Sequence, residues 1–179
     1  MSLSEPILGI AEPLQQTVLN CRKQKIRDHA KLFLLYSQNR QQNSIERSKR
    51  LPPSLIDELA AKLCYFGIYG AVMKLHFEQG MLDEAAVAER AKVLAMYQSD
   101  KDELMRRISQ FDEELHSKAI GLAKHQQEKL HRLGLPHFQP TDDPDKLSTQ
   151  VAIIDFILFL PPEEIYYSVD PRTKQAVFY

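Results

Sequence analysis

The sequence predicts a mainly α fold, a helical bundle of four to five helices with a small C-terminal β-hairpin. Three observations lead there. Apolar residues recur at three- and four-residue spacing through most of the 179-residue chain. Six glycines are too few for a loop-rich or β-rich fold. Caps and terminators punctuate the periodic segments where helix ends need them. With 44% hydrophobic and 26% charged residues the chain can bury a core, and 1–179 reads as a single helical domain.

Residues 1–12 read as a flexible tail. Pro13 suits the first turn of a helix, where its missing N–H is not needed, and nothing breaks that helix before about Gln41. Leu19, Ile26 and Phe33, seven residues apart, form the seam expected to face the body. The segment 13–50 is also a basic arm. Residues 20–50 carry Arg22, Lys23, Lys25, Arg27, Lys31, Arg40, Arg47, Lys49 and Arg50 against Asp28 and Glu46, a net +7. Residues 51–179 are net −6, so the total of −1 conceals a basic arm on an acidic body. Lys23, Arg27 and Lys31 form a like-charged row that calls for an anion alongside.

The central helices occupy 51–134. Ser54 reads as an N-cap with Asp57 three residues on, and the helix should run to Gln79 with Gly80 as its stop. Ile56, Leu59, Leu63, Phe66, Met73 and Phe77 would be its apolar stripe. A second stripe of Ala60, Cys64, Gly67 and Ala71 implies close approach by a neighbouring backbone, because a helical glycine otherwise costs about 1 kcal/mol. Glu58, Lys62, Tyr65, Tyr69 and His76 would share a third strip, either a ligand groove or a half-exposed margin. Asp83 is expected to cap a third helix ending near Gln98. Ser99 should cap a fourth, ending at Leu133 before Gly134 and Pro136, with a coiled-coil-like stripe of Leu104, Ile108, Phe111, Leu115 and Leu122.

Residues 135–179 are expected to supply a loop, a helix and the hairpin. The apolar run Val151–Leu160 fits a buried strand or a buried helix; the Asp143 cap and the Pro161-Pro162 terminator favour a helix over 144–160. Asp155, alone among apolar residues, needs a partner wherever it is buried. Ile165–Val169 and Lys174–Tyr179 read as hairpin strands around a turn at 170–173.

Several functions find no motif. Glu113…His116 and Glu128…His131 have the Glu-x-x-His spacing of di-iron bundles, but they lie about 22 Å apart on one helix. No zinc, phosphate-loop or nucleophile motif occurs, so no metal, no cofactor and no enzymatic activity is expected. Cys21 and Cys64 suggest neither a disulfide framework nor a thiolate site. No run is long enough to span a membrane and no secretory signal is visible, so a cytoplasmic location without membrane insertion is expected.

What remains is binding. The leading expectation is a non-enzymatic accessory or adaptor protein acting on a protein partner or on itself, with Phe178 and Tyr179 as a candidate interface. The alternative is a DNA- or RNA-binding accessory protein using residues 22–50. Docking of the basic arm on the chain's own acids, such as Asp100, Asp102, Glu103, Asp112, Glu113 and Glu114, accounts for the charge equally well.

Overall fold

The computed structural model describes residues 12–39, 50–169 and 176–178. Helix α1 spans Glu12–Asn39, α2 Pro53–Leu63, α3 Phe66–Tyr97, α4 Lys101–Arg132, α5 Pro144–Phe159 and α6 Pro162–Tyr166. Two three-residue strands follow, β1 (Tyr167–Val169) and β2 (Ala176–Phe178).

The mainly α class holds, with two corrections. Six helices among the described residues replace the four or five expected. The C-terminal β-hairpin is not seen in the expected form: Ile165 and Tyr166, assigned to its first strand, are helical and buried in the core. The remainder is a short antiparallel ladder pairing Tyr167 with Phe178, Ser168 with Val177 and Val169 with Ala176. Its expected turn, and Tyr179, lie outside the described residues.

The extra helix end comes from a break inside the expected second helix. At Tyr65 the backbone swings to φ −93°, ψ 126°, ending α2 and opening α3. The break changes which residues face inward. Leu55, Leu59, Ala60 and Leu63 of α2 are buried, then Ile68, Tyr69, Val72 and Leu75 of α3, whereas Met73 and Phe77 stand exposed. The strip from Glu58 to His76 is dispersed by the same break, and Tyr69 turns into the core with its ring 5.2 Å from that of Tyr166. No backbone approaches Gly67: a Cβ there would meet nothing within 4 Å. Gly80 does not stop the helix and Asp83 does not start another, so α3 runs unbroken for 32 residues, about 48 Å.

Elsewhere local chemistry sets the ends as expected. Asp100, one residue past the expected cap, accepts from the Glu103 N–H at the start of α4. Gly134, at φ +79°, turns the chain out of α4, a conformation that favours glycine. Asp143 caps α5, and the ambiguous apolar run is helical, burying Ala152, Ile153, Phe156 and Ile157.

One core joins these elements: Ile26 and Phe33 of α1, the buried faces of α2 and α5, the first third of α3, and Tyr166. Two buried glutamines fasten the loop after α4 to this core. Gln127 exchanges hydrogen bonds with the Thr141 backbone, and Gln150 donates to the carbonyls of His137 and Gln139. Beyond the core, α3 and α4 run side by side as an antiparallel hairpin. Its distal part has no fully buried side chain: buried residues of α3 end at Leu75, and those of α4 begin at Gln127.

Candidate functional site

Much of the basic arm is turned inward. Arg22, 5% exposed, donates from Nη1 to the Cys64 carbonyl at 3.0 Å and from Nη2 to the Tyr166 carbonyl at 3.4 Å. Its guanidinium carbon lies 5.4 Å from the centroid of the Tyr166 ring, a cation–π distance. The Tyr166 hydroxyl donates to the Leu63 carbonyl. Arg22 and Tyr166 thus take up two carbonyls that the α2–α3 break releases from helical pairing. Burial lowers the Arg22 pKa and pushes the Tyr166 phenol well above its ordinary value, each opposing the charged form.

The neighbouring cations follow suit. Lys25 donates to the Glu164 carbonyl, and His29 Nε2 lies 3.1 Å from the Glu164 carboxylate. Arg27 pairs with Asp57 at 2.6 Å, and Lys31 with Asp28 at 2.9 Å. Arg50 donates to the Asp145 carbonyl at 3.1 Å. Lys23 is half-buried. Arg40, Arg47 and Lys49 lie outside the described residues. The helix therefore docks largely on this chain's own groups, but not on the acids anticipated. Asp100 is a cap, Glu103 is held by Arg106 and Arg107, and Asp112 faces Arg90. Asp57, Glu164 and Asp145, far apart in sequence, take that role.

The Glu-x-x-His pairs stay dispersed along α4, and no group of three His, Cys, Asp or Glu side chains among the described residues could hold a metal ion. A polar cavity of about 490 Å³ opens beside the glutamine-fastened loop, lined by His131, His137, Gln139, Thr141 and Lys146. Among the described residues no helix is long and apolar enough to cross a membrane. Phe178 contributes backbone to the ladder with Tyr167; Tyr179 lies outside the described residues.

The surface that sequence reasoning missed is the outer side of α3. Leu82 and Ala86 on its inner side face Phe111, Leu115 and Leu122 of α4 across an apolar groove of about 390 Å³ that Ala119 also lines. The opposite side is apolar as well. Phe77 is 68% exposed and Val87 72%, with Met81 and Leu94 also exposed. A helix apolar on two sides is normally covered on both. By contrast α4 has a charged outer side, with Glu103, Arg106 and Glu113 among its exposed or half-exposed residues. The signal was present in the sequence, but a stop assigned at Gly80 divided the pattern between two shorter helices.

Compared with protein-family models, curated proteins and solved structures, the chain matches none of them.

Proposed function

We propose that this chain is a non-enzymatic adaptor that works by packing the outer side of α3 against an apolar helix of another polypeptide. The observation carrying this reading is the exposure of Phe77, Val87 and Leu94 on a helix whose other side is already occupied by α4. Isolated exposed apolar residues are ordinary, but a helical row of them on a projecting arm is a docking face. Helix-against-helix recognition uses apolar rows along one side of a helix, and intervals of ten and seven residues keep Phe77, Val87 and Leu94 on one side of α3.

The nucleic-acid alternative has less support. Arg22 is buried, and Lys25, Arg27, Lys31 and Arg50 have partners within the chain. Phosphates would have to displace those partners, and the segment's net charge overstates the cations ready to bind.

Photo-crosslinking residues placed in the expressing cell at Phe77 and Val87, and separately at Arg106 and Glu113 of α4, test the adaptor reading. Polypeptide adducts are expected from the α3 positions alone. Placing Val87→Glu in the same chain should remove the adduct at position 77. Adducts from none of the positions, or equally from all, would sink the reading.

A further inference from the structure

We infer that the polar cavity beside the C-terminal end of α4 binds a phosphate group, as the free ion or as part of a small molecule. The site is separate from the α3 face and goes beyond the adaptor reading.

The cavity gathers donors from three elements. His131 comes from the last turn of α4, His137 from the loop that follows and Lys146 from the first turn of α5; no acid lines the wall. Among the described residues none of these three side chains has a hydrogen bond or an ion pair within the chain. Thr141 Oγ1 accepts from the Asp143 N–H at 3.1 Å and keeps its own proton to give.

Groups that would repel an anion are engaged elsewhere. Of the acids nearest in sequence, Glu128 is held by Arg132 at 3.3 Å and Asp142 lies 3.6 Å from Lys124. Asp143 accepts from the Asp145 N–H, and Asp145 lies 3.9 Å from Arg50. The loop's carbonyls are taken by the two buried glutamines: Gln150 serves those of His137 and Gln139, and Gln127 serves that of Thr141. At the end of α4, the N–H groups of Leu133, Gly134 and Leu135 cap the carbonyls of Lys129, His131 and Leu130. Donors are what remain on the cavity side.

The backbone supplies an independent observation. His137 has φ +65°, a left-handed conformation disfavoured for a residue with a Cβ. Its carbonyl is fixed at 2.9 Å by Gln150, itself only 4% exposed, and prolines stand on either side at 136 and 140. Strain held this firmly is characteristic of ligand-binding positions, and here it places an imidazole on the cavity wall.

Charge and size indicate the ligand. Residues 116–137 carry Lys118, Lys124, Lys129 and Arg132 against Glu128 alone, with four of the six histidines, inside an otherwise acidic body. A planar carboxylate is best matched by the paired N–H groups of an arginine, and no arginine lines the wall; a lysine binds phosphate as a point charge. At about 490 Å³ the cavity falls within the range of small-molecule sites and leaves room for a polar body beside Gln139 and Thr141.

The test is an NMR titration at fixed pH and ionic strength with inorganic phosphate, glycerol phosphate, glycerol and acetate. Phosphate or its ester should shift the amides of His137, Gln139 and Thr141 and the ring protons of His131 and His137, with saturation; glycerol and acetate should not. Tighter binding of the ester would identify a phosphorylated molecule as the ligand, and equal binding the free ion. Lys146→Gln should weaken binding about tenfold, as should His137→Asn, a residue that tolerates the left-handed backbone. Lys118→Gln, about 20 Å along α4 from His131, should leave binding unchanged. Melting midpoints of the variants show that each is folded, and Lys146, exposed on the surface, carries the test should His137→Asn destabilise the loop. Shifts that never saturate overturn the site, as does acetate binding as tightly as phosphate, or a loss in Lys118→Gln equal to that in Lys146→Gln.

Discussion

Arg22 and Tyr166, 144 residues apart in the chain, form one unit: the guanidinium lies over the phenol ring and donates to the same residue's carbonyl. The unit closes a gap in the backbone. Where the chain breaks between α2 and α3, Arg22 serves the Cys64 carbonyl and the Tyr166 hydroxyl serves that of Leu63. A buried cation is tolerated here because both its hydrogen-bonding arms and its face are occupied.

Arg22→Met should therefore destabilise the protein by about 2–3 kcal/mol, since buried carbonyls would lose a charged donor. Tyr166→Phe should cost about 1–2 kcal/mol through the orphaned Leu63 carbonyl. Because the two side chains share a site, the double variant should lose less than the sum. Urea unfolding midpoints check this, and strictly additive losses would contradict the shared unit.

The two cysteines should differ sharply in reactivity. Cys21 is exposed, whereas Cys64 is fully buried, its Sγ donates to the Ala61 carbonyl, and burial pushes its thiol pKa up. Less thiolate and no access both oppose attack. A thiol reagent at pH 8 should modify one cysteine in the native protein and the second only on unfolding. Rapid double labelling without loss of structure would show that the α2–α3 junction is open.

Glycine substitutions should have opposite signs at two sites. Gly67 is helical and open, so Gly67→Ala should stabilise by up to about 1 kcal/mol. Gly134 has φ +79°, and its added Cβ would lie 3.3 Å from Lys62 Nζ. Gly134→Ala should cost about 1–2 kcal/mol, mainly through the left-handed backbone. Melting midpoints of the two variants, compared with wild type, give the test.

The base of α4 should respond to acid later than an ordinary glutamate does. Hydrogen bonds from Arg106 and then Arg107 lower the Glu103 pKa from 4.5 to about 2. The depressed value belongs to the folded state, so its contribution is complete above pH 4.5 and fades as pH falls toward 2. An NMR titration of the Glu103 carboxyl should show a midpoint near 2. Arg106→Ala with Arg107→Ala should raise it toward 4.5; an unmoved midpoint would deny the arginines their role.

The sequence by itself determined the helical class, the seam of α1 through Ile26 and Phe33, the cap at Asp143 and the exit at Gly134. These are decided within a turn or two of the chain, by side-chain spacing, one hydrogen bond or one backbone conformation. Tertiary structure alone decided the break at Tyr65. No nearby residue requires it, and its freed carbonyls are satisfied by Arg22 from 42 residues before and Tyr166 from 103 after. It also decided the fate of the C-terminal segment, where burial of Ile165 and Tyr166 in the core overrode their strand-like pattern. The basic arm was legible as charge but not as contact, because Asp57, Glu164 and Asp145 become its neighbours only when α2, α5 and α6 pack around α1. The outer row of α3 was legible residue by residue. Only the folded chain leaves that row uncovered, since α4 can occupy one side of a helix and not the other.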